Sequence, residues 1–299
     1  MAAANRSREK VLHLMLLPAV LLVLVFSYGP MLGIYIAFQD FSPVYGLTGS
    51  PWIGFGNFEF VFKIPGFLQV IWNTVFIAFL KIIGLIIVPV SFSLLLNEIR
   101  KEGYKRILQT LIYLPNFLSW VVLAGLLIDI LSPSTGIVNQ GLSAMGIKPI
   151  FFLGDTFWFP ITMVVSEIWK SFGFGTVIYL AALTSIDPTL YEAAEIDGAG
   201  RIRQTWYVTL PGILPIIVLM SVLSLGNILN AGFEQVFNLY SAQVYETGDI
   251  IDTFVYRLGL QQAQFGPATA VGLFKSLISF MLVSSSYFLA DKLVNYRIY

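Results

Sequence analysis

Four ionisable side chains stand deep inside long apolar stretches of this 299-residue chain: Lys81, Glu167, Lys170 and Lys275. A charge at membrane depth is costly and generally faces a cavity or a partner. Glu167 and Lys170 lie three residues apart, so on a helix they share a face and can neutralise each other, and a structural role alone accounts for them. Lys81 and Lys275 have no evident partner in their own stretches, which leaves a net +2 within the apolar runs. Snorkelling is a second reading for such lysines, although Lys81 lies near the middle of its run. A further set, Trp169, Asn227, Asn230, Glu234, Asn238 and Tyr240, supplies hydrogen-bonding groups and aromatic faces suited to hydroxyl-rich ligands. Asn and Tyr at helix ends are also ordinary caps and interface anchors, so both readings stand for each. Catalytic chemistry has little to work with. Cysteine is absent, the one histidine, His13, sits in an apolar run, and no metal-ligand spacing occurs.

The elements that must carry these groups are membrane helices. Hydrophobic residues make up 57% of the chain and charged residues 11%, and the mean hydropathy is +0.80. A soluble globular protein, a disordered chain and a nucleic-acid binder are excluded on that composition. A helix crosses the hydrocarbon core with about 20 mainly apolar residues. Six segments meet that length, approximately Val11–Phe38, Leu68–Leu96, Ile107–Leu131, Phe157–Leu183, Gly212–Leu229 and Ala268–Leu289. The expected fold class is therefore all-α, a polytopic bundle of six transmembrane helices. The first run follows Arg6, Arg8 and Lys10 like a secretory leader, but it continues past Tyr28 and no small-residue cleavage site closes it. It reads as a retained helix, with kinks expected at Pro18 and Pro30.

Lysine and arginine placement sets the orientation. One side carries Arg6, Arg8, Lys10, Arg100, Lys101, Lys105, Arg106, Arg201, Arg203, Lys292 and Arg297; the other has only Lys63, Lys148 and Arg257. Both termini are thus expected in the cytoplasm: residues 1–10 and 291–299 flank a membrane domain of residues 11–290. Two outward connections are long, about Gln39–Phe67 and Asn230–Pro267. Trp52, Phe55, Phe58 and Phe60 in the first suit an interfacial aromatic belt. Glu246, Asp249 and Asp252 in the second suit a docking rim or a solvated loop.

The cytoplasmic connection between spans four and five, about residues 185–211, is longer than the roughly 2–8 residues such a link needs. Asp187 can cap a helix with Pro188 in its first turn. That helix is expected to run to about Ile196 and break at Gly198 and Gly200. A second short helix, about Arg201–Val208, is expected to end before Pro211. Glu192 and Glu195 share a face, and Ala193 and Ala194 keep part of the surface small. Tyr191, Ile196, Ile202, Trp206 and Tyr207 are too many apolar groups for a loop that only crosses water. Packing on its own bundle and docking a cytoplasmic partner are both open on these residues.

Here the sequence resembles a family. Glu192-Ala193-Ala194, Asp197-Gly198-Ala199 and Leu210-Pro211 look like the EAA loop of binding-protein-dependent ABC importer permeases, with Gly198 four residues after Ala194. Span number, side and loop position agree. The resemblance implies a non-catalytic permease subunit whose loop docks on a cytoplasmic ATPase dimer, with Glu192 central and Gly198 at the turn. It implies alternating access, a second homologous permease subunit and an extracytoplasmic solute-binding protein. No cofactor is expected in this chain. No Gly-Lys pair occurs, so ATP and Mg are expected on the partner ATPase.

Asn73-Thr74, Leu95, Asn97, Glu98 and Tyr113-Leu114-Pro115 extend the resemblance to the sugar permeases of that family. The segment Asn230–Leu260 is similar to permeases for polysaccharide-derived oligosaccharides, some of which import uronate oligomers from pectin or alginate. Unpaired Lys81 and Lys275 would then make the path mildly positive and favour carboxylated sugars; pairing with acids of a second subunit is the competing reading. An ion-coupled secondary transporter is the rival from another class, but it would show an inverted repeat or broken helices around an ion site. A membrane-embedded enzyme would need catalytic groups clustered at one depth. Neither rival explains the loop at Glu192–Pro211.

Overall fold

A computed structural model describes residues 2–294, with side chains described for residues 12–288. The side chains of Arg6, Arg8, Lys10, Lys292 and Arg297, on which the placement of both termini partly rests, lie outside the described residues. The chain is helical throughout, apart from one isolated antiparallel bridge between Gln39 and Trp52 among the described residues. It divides into two compact units, residues up to Ile64 with Val255–Phe274, and Pro65–Phe254 with the chain from Lys275.

In the first unit, α1 (Ala2–Val23) passes through Pro18 and continues as a π turn (Leu24–Tyr28) and a 3-10 helix (Gly29–Phe38). The change of winding falls at Pro30, whose nitrogen carries no hydrogen. From Leu12 to Phe38 this is an apolar run of 27 residues with almost no buried surface. The connection that follows folds back on the run's end. Phe38 stacks on Trp52 with centroids 5.4 Å apart and meets Phe55 and Phe58 at 5.6 Å. The short helix α2 (Gly56–Lys63) brings Asn57, whose Nδ2 donates to Ala37 O at 2.9 Å and Gln39 O at 2.8 Å. These bonds satisfy carbonyls just where the 3-10 helix ends. Trp52, Phe55 and Phe60 stay exposed and Phe58 is half-buried, as suits the aromatic-belt reading.

The second unit opens with α3 (Phe67–Asn97) and α4 (Glu102–Tyr113), followed by α5 (Trp120–Leu131), α6 (Ile137–Ala144) and α7 (Trp158–Leu183). The loop helices α8 (Pro188–Ile196) and α9 (Arg201–Gln204) come next, then α10 (Leu210–Leu225) and α11 (Phe233–Leu239). Two further helices, α12 (Ile251–Tyr256) and α13 (Phe265–Val294), contribute residues to both units. The α3–α7 pair is the most extensive contact. Where lipid replaces water, helices associate by close packing, and small residues permit it. A Cβ on Gly173 of α7 would fall 2.0 Å from the Ile112 carbonyl oxygen of α4, and one on Gly175 would fall 3.1 Å from Pro89. One apolar cluster joins Ile77, Ala124, Phe159, Met163, Val236 and Ile250; a second joins Val90, Tyr179, Leu183 and Ile213.

The structure agrees approximately with the six expected spans, with two corrections. Four helices are long and apolar enough to cross a membrane, and α4 with α5 supplies a broken fifth. Helix α7, whose 26 residues extend about 39 Å at 1.5 Å per residue, has the length of a sixth but is less apolar, carrying Glu167 and Lys170. The third span is not the continuous helix expected over Ile107–Leu131. It bends by 102°, because Leu118 and Ser119 are extended and Ser119 caps α5 by accepting from Val122 N. Nor does the second loop helix end before Pro211. A π turn at Thr205–Thr209 widens the winding, so one helix runs from Arg201 to Leu225. The wider turn accommodates the proline ring that would otherwise strike the preceding turn.

Candidate functional site

Two places in the second unit collect the candidate residues: a polar cleft and the exposed loop α8–α9.

The cleft, about 620 Å³, is walled by α3, α5, α7, the end of α10 and the start of α11. Lys81, Glu167, Asn227, Asn230 and Glu234 all line it, together with Trp120, Ser224, Gly232 and Phe233. The lysine is not unpaired. Lys81, only 5% exposed, donates to Ala231 O at 2.6 Å and to Gln235 Oε1, and its Nζ lies 3.9 Å from Glu167 Oε2. Glu167 therefore faces Lys81 across the α3–α7 contact instead of neutralising Lys170. Ser171 Oγ donates to the other carboxylate oxygen at 2.9 Å. Lys170 turns away, donating to Asn116 O at 2.9 Å and lying 5.8 Å above the Trp120 ring centroid. The break between α4 and α5 supplies that carbonyl, so the bend and the lysine explain each other.

Lys275 is paired as well, with Asp252 Oδ1 at 2.5 Å, both side chains about four-fifths buried. Lys81 and Lys275 are therefore not the unpaired positive excess expected from the sequence, because acids distant in sequence stand beside both. Within the cleft itself one lysine faces two carboxylates, Glu167 and Glu234. The remaining expected residues are dispersed. Trp169 lines a separate apolar cavity of about 300 Å³ beside Trp158 and Phe152. Tyr240 packs on the hydrophobic cluster and on Tyr245, and Asn238 Nδ2 bonds Glu234 O within its own helix.

Gln235 escaped the sequence reading. It is fully buried and donates through Nε2 to Met163 O and Ser166 Oγ, both at 2.8 Å, while accepting from Lys81. A lone buried amide in a short helix gives no periodic signal, so only the fold reveals it. Of the acids in this connection Glu246 stays exposed, while Asp249 is buried and Asp252 half-buried. Asn73 Nδ2 donates to Glu246 O at 3.0 Å and Asp249 O at 3.2 Å, Thr74 Oγ1 accepts from Ile251 N, and Asp249 is buried.

The loop is locally determined. Asp187 Oδ1 accepts from Thr189 N at 2.9 Å, and that N–H bond holds the exposed carboxyl below its ordinary pKa. Pro188 occupies the first turn. At the other end Gly198 takes φ +75, Ala199 N bonds Ala194 O, and Gly198 N bonds Glu195 O. This is a Schellman cap, which needs a residue without a Cβ penalty at that position. Glu192, Ala193, Asp197, Gly198 and Pro211 are exposed, while Ala194, Ala199 and Leu210 are half-buried. Ile196, Ile202, Trp206 and Tyr207 are 87, 78, 64 and 79% exposed. The loop therefore does not bury its apolar residues on its own bundle. Arg201 pairs with Glu98, tying α9 to the end of α3, and Tyr191 Oη bonds Thr209 Oγ1 at 3.0 Å.

A polytopic helical bundle with a polar cleft and an exposed amphipathic helix pair defines a membrane transport subunit. The family described as "Binding-protein-dependent transport system inner membrane component" matches residues 90–295, and the chain belongs to it. It is thus a non-catalytic inner-membrane permease subunit of an ABC importer. It is similar to the polygalacturonan/rhamnogalacturonan transport system permease protein YteP of Bacillus subtilis (strain 168), 42% identical over 98% of this chain and 91% of that one. Protein LplB of the same organism is 41% identical over 97% of this chain and 91% of that one. A chain from the crystal structure of a bacterial ABC transporter involved in the import of the acidic polysaccharide alginate superposes with a TM-score of 0.89. That chain is 39% identical, over 97% of this one and 98% of that one.

Proposed function

We propose that this chain is the permease half of an ATP-driven importer for acidic, uronate-containing oligosaccharides. The observation that carries the reading is the likeness, over nearly the whole chain, to the alginate transporter's permease. The relative named for polygalacturonan and rhamnogalacturonan transport points the same way. Charge in the cleft is not the support, since Glu167 and Glu234 outnumber Lys81. Asn227 and Asn230 offer amides for sugar hydroxyls, and Trp120 offers a ring face, so recognition by planar hydrogen bonding and stacking is the chemistry available here.

In this reading residues 11–290 form the membrane domain, both termini face the cytoplasm, and residues 185–211 are the coupling segment. Glu192, Ala193, Ala194, Asp197, Gly198, Ala199, Leu210 and Pro211 form or support the face that meets a cytoplasmic ATPase dimer, which binds ATP and Mg. A second homologous permease completes the path, and an extracytoplasmic binding protein delivers the sugar; a relative transporter has been solved in complex with its alginate pentasaccharide-bound periplasmic protein. Closure of the ATPase moves α8 and α9. The Arg201–Glu98 pair and the unbroken helix from Arg201 to Leu225 carry that motion to the cleft walls.

The test is ATPase stimulation in proteoliposomes holding the assembled importer and its binding protein, across uronate and neutral oligosaccharides of equal length. Stimulation by the uronate series supports the reading. Equal or greater stimulation by the neutral series overturns the acidic assignment, and none by either overturns the oligosaccharide assignment.

A further inference from the structure

The wall of the cleft between α10 and α11 has little regular structure of its own. Residues Asn230, Ala231 and Gly232 lie outside helix and strand, and Gly232 takes φ +92 as the cap of α11, its carbonyl accepting from Val236 N. Yet Ala231 and Gln235 are fully buried. A buried carbonyl in such a segment must find a donor from elsewhere. It finds Lys81. The same ammonium group bonds Ala231 O and Gln235 Oε1, five residues of chain bracketed by one side chain from α3. Gly232 lies directly beneath it, where a Cβ would stand 3.1 Å from Nζ. Gln235 in turn is bonded to Met163 O and Ser166 Oγ of α7. Three elements thus meet at one ammonium.

We infer that Lys81 is a positioning residue: it pins residues 231–235 against α3 and α7 and so sets where Asn230 and Glu234 stand in the cleft, without itself contacting the sugar. The inference deepens the reading of the cleft as the translocation path and rests on it. It differs from a simple ion pair. If Lys81 served only to neutralise Glu167, removing both charges would restore the parent behaviour, because no unpaired buried carboxylate would remain. If it pins the segment, removing both leaves Ala231 O and Gln235 Oε1 without their donor.

The experiment uses the natural absence of cysteine. Val236→Cys reports opening of the pinned segment, since Val236 is fully buried; Ile213→Cys, fully buried in the separate cluster with Val90 and Tyr179, reports general loosening. Labelling by a maleimide is followed on this chain in the assembled importer in proteoliposomes. Lys81→Gln is expected to raise the Val236→Cys labelling rate about tenfold or more, the opening expected for loss of a charge-assisted hydrogen bond. Labelling of Ile213→Cys should stay within about twofold, and Lys81→Gln with Glu167→Gln should label Val236→Cys as fast as the single variant. Gln235→Ala, which keeps both charges, gives an independent reading of the same pin and should also speed Val236→Cys alone. Restored protection in the double variant overturns the inference, as does equal acceleration at Ile213→Cys or no acceleration at Val236→Cys. Labelling needs no transported sugar, so failure of the oligosaccharide reading would show only in the ATPase panel.

Discussion

Among the described glycines, the one where a Cβ would come nearest to another element's backbone makes the sharpest mutational test. Gly173→Ala would place a Cβ 2.0 Å from Ile112 O and 2.6 Å from Ile112 C. Ordinary contact begins near 3.4 Å, so α7 must withdraw from α4 by more than an ångström. Both obstacles are backbone, and no rotamer change can relieve them. Overpacking a close-packed interior costs about 1–3 kcal/mol, and a backbone obstacle belongs at the upper end. Gly84→Ala meets an equal distance, 2.0 Å, but to Ile168 Cδ1, the free end of a side chain that can turn aside. Gly125→Ala meets nothing within 4 Å, and alanine is favoured over glycine in a helix by about 0.5–1 kcal/mol. The three variants should therefore rank Gly125→Ala, Gly84→Ala, Gly173→Ala in decreasing stability. Thermal inactivation of the detergent-solubilised importer, read by loss of ATPase stimulation, measures the order. Gly173→Ala as stable as Gly125→Ala would refute the close α4–α7 contact.

Other outcomes follow from the same geometry. Gly198→Pro demands φ near −65° where the chain takes +75 and removes the N–H bonded to Glu195 O; with Glu192→Lys it should uncouple ATPase activity from transport and weaken co-purification of the ATPase. Lys275→Gln should destabilise by about 1–3 kcal/mol, less than for a fully enclosed pair because each side chain is about a fifth exposed, and Asp252→Asn in the same chain should recover most of it in the same inactivation assay. The carboxylate of Asp187 holds its cap in the ionised form, with its pKa below the ordinary 3.8. A depressed pKa gives stability that is present above the unfolded value and is lost as pH falls through the folded one. Protection of the Thr189 and Leu190 amides, taken relative to the intrinsic exchange rate at each pH, should then hold at neutral pH and fall only below about pH 3.8, with Asp187→Asn insensitive to that change.

The parts of the site that were legible in the sequence are those decided by near neighbours. Asp187, Pro188 and Gly198 fix α8 through bonds spanning two to five residues, so its bounds and its break were readable. The cleft was half legible. Lys81, Glu167, Asn227, Asn230 and Glu234 announce themselves by being polar in apolar runs, but Glu167 and Gln235, the partners of Lys81, stand 86 and 154 residues away from it in sequence and no spacing rule reaches them. That is why Glu167 was matched to Lys170, its helical neighbour, and why Lys275 looked alone although Asp252 faces it. The bend at Leu118–Ser119 was hidden because the residues on both sides are uniformly apolar. Helix continuation through Pro211 was hidden because a π turn leaves no compositional mark.

The account depends most on the exposed loop being the contact with the ATPase. Single cysteines at Ile196 and Tyr207, both largely exposed, can be cross-linked in the assembled importer against Phe157→Cys at the far end of α7, which is also exposed. The account predicts cross-links to the ATPase subunit from Ile196→Cys and Tyr207→Cys and none from Phe157→Cys. Cross-links from Phe157→Cys with the two loop positions silent would contradict it.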